Sequence, residues 1–583
     1  MSSRGLALGL AVLGLWGCGG SSNITRGTSA GSGSSTTGTT GVTGTSGHTT
    51  TTTGTTGVTT SSTSGGTSGS TVSSDFPGQA VLVGGLPNYL PTLFAADGGS
   101  ASTGPCLSEP TLDALVPRNW TPLHFEWTPV GNENVFELRL HVANQTNDLV
   151  VYTSSDSYDL DASVWNALAD HSAGEDVQIT LRGASLVSGA FTEGPDLGAS
   201  GAIHLSTAAA SGAVVYWTSS DGTAFEGFSV GASSPGVVLT PGLAGVTSNG
   251  SATSCVACHA SSPDGKLVLY TRDDAAGTRA LDARQVGDAG LPDPSQVSSA
   301  ALQLLGRNRQ FAPVTSAAHY GPGDSKSVSI YQDPNNSNLY ELIWTNLQAT
   351  DTSSANWGII ARDGDVRQAA SPSWRHDGTG IAYVSAPSVG EGVISDITGT
   401  DPDYDIYTVP YNDGAGGAAT PLAGASDPNY REFYPVYSPG DSLIAFSRHD
   451  QAANSYNQPA AEVCVVPSNG GTATRLRANE PPACTGLVSP GLTNSWPRWA
   501  PQSTQDGDEK TYWMVFSSKR HASSVDGNGA MIPQLYVAGV VTQVLPDGGE
   551  LVEHDYPALY VRSQNPEQSN HTPAWDVFQL EFQ

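Results

Sequence analysis

The strongest chemical signal in the chain is Cys255-Val256-Ala257-Cys258-His259. Two thiols separated by two residues and followed at once by an imidazole have the spacing of a c-type haem attachment site. There the thiols form thioethers to the porphyrin and the histidine ligates iron. On that reading Cys255 and Cys258 hold one covalent haem c and His259 is its proximal ligand through Nε2. Candidate distal ligands are His319, His571 and Met531, because Met514 alternates within a strand pattern and reads as core. Two alternatives stay open: a tight disulfide or thiol pair in a turn beside a surface His259, and a metal site, for which no second Cys-x-x-Cys or paired histidine completes a tetrahedral set.

The remaining cysteines read differently. Cys464 and Cys484 fall within one repeat, separated by Gly470-Gly471 and Pro481-Pro482, and form a candidate disulfide in an exported chain. Cys106 has no evident partner. The Asp401-Pro402-Asp403-Tyr404-Asp405 cluster is a weak calcium candidate, since it lacks the ligand spacing of a known calcium loop. No His-Glu-x-x-His or phosphate-cradling loop is found. The chain therefore reads as a redox carrier or binding protein, not an enzyme.

The elements that must position these residues follow from composition and patterning. A chain of 583 residues with 68 glycines and 37 prolines is too rich in turns to be mostly helical, and the expected class is all-β. The net charge of -30 argues against nucleic acid as a partner. Residues 1–17 read as a lipoprotein signal peptide: Arg4 precedes an apolar run, Leu6 to Leu15, too short to span a bilayer. Leu15-Trp16-Gly17-Cys18 resembles a bacterial lipobox, which implies lipidation of Cys18 and membrane contact through that lipid. With Gly19 following, the expected location is the outer membrane, on its periplasmic or surface face. Residues 18–75 are almost wholly Ser, Thr and Gly and cannot offset the entropy of ordering a backbone. They read as a disordered tether, whose 21–74 stretch has a root-mean-square span of roughly 40 Å.

Residues 79–207 carry short strands of period two, among them His124-Phe125-Glu126-Trp127 and Phe136-Glu137-Leu138-Arg139-Leu140. They suit a small β-sandwich with Trp127 and Trp165 in its core. Pro117-Arg118-Asn119-Trp120 leading into the Trp127 strand is similar to fibronectin type III or immunoglobulin-like modules.

From residue 211 to 583 one unit repeats. Ser262-Pro263-Asp264-Gly265, Pro372-Ser373-Trp374-Arg375-His376-Asp377-Gly378, Pro435-Val436-Tyr437-Ser438-Pro439-Gly440 and Pro497-Arg498-Trp499-Ala500-Pro501 each precede an apolar strand. A degenerate copy is His319-Tyr320-Gly321-Pro322-Gly323-Asp324, and His571-Thr572-Pro573-Ala574-Trp575 ends the series. With the later Asp405-Ile406-Tyr407-Thr408-Val409 strand, this resembles the TolB-type, WD40-like β-propeller. The resemblance implies six blades, with the terminal Trp575 strand closing onto Ala213-Val214-Val215-Tyr216-Trp217, and a scaffold that binds a protein or polysaccharide partner at the cell envelope. Aligning the turns by their glycines sets His259 against Pro372 and Cys258 against Ser371. That places the Cys-x-x-Cys-His motif just before an innermost strand, at the channel mouth, with His319 and His571 on the flanking blades. A haem there implies electron transfer or redox sensing with a redox partner.

Overall fold

Each Pro/Gly turn joins two antiparallel strands, as its residue types require: glycine supplies a positive φ that side chains resist, and proline fixes the other corner. At Gly265 the need is absolute, since φ is +73° and an added Cβ would lie 1.9 Å from the Val577 carbonyl oxygen. The computed structural model describes residues 72–583 apart from 97–99, 102–103, 221, 247–249, 276, 287–296, 308–309, 337–338, 388–403, 452–454, 456 and 581–583. The leader, Cys18, nearly all of the tether and Asp401 to Asp403 of the calcium candidate lie outside the described residues. No described helix is long and apolar enough to cross a membrane.

The structure is all-β with a few short helices. Six antiparallel sheets follow residue 211. Their innermost strands are Thr253–Ser261, Gln310–Gly321, Gln368–Trp374, Arg431–Tyr437, Ser495–Trp499 and Asn570–Asp576. Each packs on the next, and the last packs on the first, so the six form a closed ring. The ring closes through the C-terminus: Asn570–Asp576 pairs with Ala213–Thr218, completing a sheet begun more than 350 residues earlier. Such closure leaves no exposed inner edge on which another chain could add. The architecture is that of a β-propeller.

The N-terminal region has two sheets, of seven and three strands, with the Ala162–His171 helix beside them. Trp127 and Trp165 are buried, and the Trp165 indole donates to the Trp120 carbonyl at 2.8 Å. Its core continues into the propeller, where Trp120, Leu140 and Ile203 share one apolar cluster with Trp513, Val537 and Trp575.

A disulfide crosses this seam, and it corrects the expected pairing: Cys484 bonds to Cys106 and not to Cys464. Cys464 is a free thiol in the strand Glu462–Pro467, paired on both sides and fully buried beside Phe446 and Ile444. The turn Ala483–Thr485 carries Cys484 away from that sheet to the N-terminal strand Cys106–Glu109.

Candidate functional site at the centre of the ring

All six innermost strands bulge at one place. Cys258, Ala312, Ser371, Tyr434, Trp496 and Thr572 have φ between +38° and +60°, and each begins a register shift against its neighbour strand. The next residue is proline in five strands: Pro313, Pro372, Pro435, Pro497 and Pro573. Proline is tolerated there because a bulge leaves one residue out of the ladder and needs no N–H from it. In the sixth strand the residue is His259, which pairs with Tyr270. The alignment of Cys258 with Ser371 and of His259 with Pro372 therefore holds. The motif lies inside its innermost strand, however, not before it.

From the bulges to the following turns these strands enclose a cavity of about 310 Å³, at the lower end of the range for small-molecule sites. Aromatic side chains supply much of its wall, among them Trp374, Tyr437, Trp496, Trp499 and Trp575. Its charged groups are few. Arg498 follows the Trp496–Pro497 bulge, and its guanidinium sits 5.1 Å from the Trp496 ring centroid. Nη1 donates to the Pro497 carbonyl at 2.8 Å, and the side chain makes no ion pair among the described residues. Burial pushes its pKa down to about 10, leaving it cationic at neutral pH. On another side of the cavity, burial raises the Asp576 carboxyl to about 6. His376 stands near it; burial opposes its charge, but the hydrogen bond from Nδ1 to Asp441 at 2.8 Å prevails and raises its pKa.

The motif residues divide around this cavity. Cys258 and His259 line it and Cys255 does not. Burial pushes the Cys258 thiol up to about 12, which keeps it protonated and a poor nucleophile. The His259 ring packs on Phe225 at 4.3 Å between centroids, and its Nε2 donates to the Val215 carbonyl at 3.0 Å. Nδ1 is then a bare acceptor, buried without a partner. Burial lowers the pKa of this imidazole to about 4.

These positions bear on the fit of a haem. The nitrogen that would ligate iron is spent on a backbone carbonyl, and of the two cysteines only Cys258 is a free thiol lining the cavity, Cys255 being disulfide-bonded. In this conformation the three residues do not fit one covalent haem. The distal candidates are not gathered either, for none of His319, His571 and Met531 lines the cavity. His571 precedes its bulge residue, aligning with Ala257 and not with His259; its ring packs on Trp217 at 4.6 Å, and burial lowers its pKa to about 3. His319 is stacked on Trp374 with Nδ1 2.8 Å from Asp324. Met531 forms an isolated bridge with Val525 in the loop between the strands Glu509–Ser518 and Gln534–Val544. The feature that sequence reading passed over is Arg498: its type is visible in Pro497-Arg498-Trp499, its burial is not.

No family model matches the chain, and no curated protein matches it. Solved structures similar to it include TolB from Acinetobacter baumannii, at 15% identity and a TM-score of 0.32 over 69% of this chain and 79% of that one. A prolyl endopeptidase is similar at 13% identity and a TM-score of 0.27, over 64% of this chain and 49% of that one. Kuenenia stuttgartiensis hydrazine synthase is similar at 12% and 0.26, over 64% and 48%. The chain thus spans about half the length of the last two. Likenesses this distant do not extend to function, and the propeller assignment rests on the ring of sheets.

Proposed function

We propose that the protein is an exported propeller scaffold, held at the cell envelope by lipid on Cys18, that binds a partner bearing a carboxylate in the cavity at the centre of its ring. The observation that carries this reading is Arg498: a half-buried guanidinium lining a cavity walled by aromatic rings, with no ion-paired carboxylate among the described residues. A desolvated charge is costly unless compensated. A planar guanidinium takes a carboxylate in two parallel hydrogen bonds, which gives orientation as well as affinity. The aromatic walls suit sugar faces or peptide side chains, matching a protein or polysaccharide partner. The test is calorimetric titration with uronate-containing oligosaccharides and with short peptides ending in a free carboxylate, on the wild type and Arg498→Met. Saturable binding of one class, lost in Arg498→Met, supports the reading; binding of neither, or binding indifferent to the substitution, sinks it.

A second reading keeps one haem c on Cys255 and Cys258 with His259 as ligand, for electron transfer or redox sensing with a redox partner. It is supported by the motif spacing and by the orphaned His259 Nδ1. It requires His259 to give up the Val215 carbonyl and Cys255 to be released from its disulfide.

A further inference from the structure

Far from the ring cavity, at the seam between sandwich and propeller, four side chains converge from three segments. The sandwich strand Cys106–Glu109 ends in Glu109, which is 7% exposed. The neighbouring strand His124–Thr128 places His124 and Glu126 on one face, since side chains two residues apart on a strand point the same way. His521 arrives from the propeller, on the loop after Glu509–Ser518. Oxygen and nitrogen atoms of Glu109, His124 and Glu126 all lie within 4.8 Å of one another. His124 Nε2 stands 3.7 Å from a Glu126 oxygen, and His521 Nε2 stands 3.0 Å from Glu109 Oε1.

Each imidazole is oriented from behind. His124 Nδ1 lies 2.6 Å from an Asp159 carboxylate oxygen, and His521 Nδ1 lies 3.0 Å from the hydroxyls of both Ser523 and Ser524. The His521 ring is also stacked on Tyr560, 4.1 Å between centroids. A histidine whose Nδ1 is held by an acceptor keeps its proton there and presents a bare Nε2 forward, the arrangement found behind metal-ligating histidines. Here both Nε2 atoms face carboxylates. Charge makes the same point. Glu109, Glu126 and Asp159 face one fixed cation, Arg562, whose Nη1 is 3.9 Å from each glutamate. The carboxylates outnumber this fixed cation, and a divalent ion would offset the excess.

We propose that Glu109, His124, Glu126 and His521 bind one first-row divalent cation of the zinc class, which clasps the sandwich to the propeller. A mixed imidazole and carboxylate set suits Zn²⁺ better than Ca²⁺ or Mg²⁺, which prefer oxygen ligands alone. Ligands about 2.1 Å from a tetrahedral zinc stand about 3.4 Å from each other. The 3.0 and 3.7 Å separations bracket that value. The site closes a seam already crossed by the Cys106–Cys484 disulfide, three residues before Glu109, and it is independent of the reading of the ring cavity.

The experiment uses the full secreted chain, treated with chelator and titrated with Zn²⁺ and then Co²⁺, with Ca²⁺ as control. The expected result is one Zn²⁺ bound per chain, a rise in unfolding temperature with metal, and visible bands of a four-coordinate Co²⁺. Glu126→Gln removes the bands. Asp159→Asn guards against a folding defect, because that carboxylate is 81% exposed and tethers nothing but His124 in this cluster; it weakens Zn²⁺ binding 10- to 100-fold, as loss of an orienting partner does. No saturable Zn²⁺ binding below millimolar, or binding unchanged in both variants, overturns the proposal and leaves the cluster a metal-free ion-pair network.

Discussion

Five innermost strands of the ring turn through a residue of positive φ followed by proline, and one turns through Cys258 followed by His259. The positive φ recurs in all six, but the prolines stand outside the ladder while His259 stays paired opposite Tyr270. Proline at a bulge is a structural choice: it gives up an N–H that has no partner and narrows the unfolded ensemble. Histidine there keeps the N–H and adds an imidazole, at the cost of burying a nitrogen without a partner. The comparison separates what the ring needs in order to fold from what one strand carries for another purpose.

The comparison can be broken most severely at the bulge residues themselves. Tyr434 is fully buried, packs on Trp496 at 4.0 Å between ring centroids and bonds to the Ser455 hydroxyl at 2.7 Å. Tyr434→Ala is expected to cost about 3–5 kcal/mol in chemical denaturation, the scale of an aromatic deleted from a core. Cys258→Ala at the matching position should cost about 1 kcal/mol, since one small group is lost. Equal losses would mean that Cys258 is as structural as its counterparts.

The turns that follow give a second contrast. Gly265 and Gly440 both have positive φ, but a Cβ at Gly440 meets only the end of the Lys510 side chain, at 3.5 Å. Gly440→Ala should therefore show the left-handed penalty alone, about 1–2 kcal/mol. Gly265→Ala should exceed it by about 1–3 kcal/mol, because its Cβ collides with the Val577 backbone that closes the ring. Similar denaturation midpoints would show that the C-terminal segment does not pack on that turn.

The smallest effect is expected from His259→Pro, which installs the residue of the other five strands. The bond to Val215, worth about 1 kcal/mol, is lost, but so is the burial of an unpaired Nδ1. Near pH 7.5 the variant should match the wild type within about 1 kcal/mol. Acid should separate them. The His259 pKa is depressed in the fold to about 4 against an ordinary value of 6.5, so the unfolded chain binds the proton first. The wild type then loses stability relative to the variant as pH falls from about 6.5 toward 4. A difference independent of pH would mean that His259 is not buried as a neutral ring.

How much of this was legible in the sequence depends on how far apart the partners lie. The repeat was readable because each copy is local, and aligning glycines set Cys258 on Ser371 and His259 on Pro372, where the bulges match. The degenerate copy misled: Gly321 to Asp324 is only a hairpin, and the bulge of that strand is Ala312–Pro313, which is not followed by the Trp-Arg-His-Asp-Gly run of the Pro372 copy. The disulfide was out of reach, because Cys106 and Cys484 are 378 residues apart and spacing carries no connectivity over such a loop. The burial of Arg498 and the meeting of His124 with His521 are likewise products of ring closure and of the seam. The residue types stand in the sequence, while their neighbours come from elsewhere in the chain.

The most direct test is the pyridine haemochrome spectrum, with haem staining after denaturing electrophoresis, of protein produced alongside a c-type haem maturation system. With His259 Nε2 held by the Val215 carbonyl and Cys255 disulfide-bonded outside the cavity lining, the account predicts folded, colourless protein without a covalent haem band. A stoichiometric covalent haem band that disappears in Cys255→Ala/Cys258→Ala would contradict it and make the exceptional bulge a redox site.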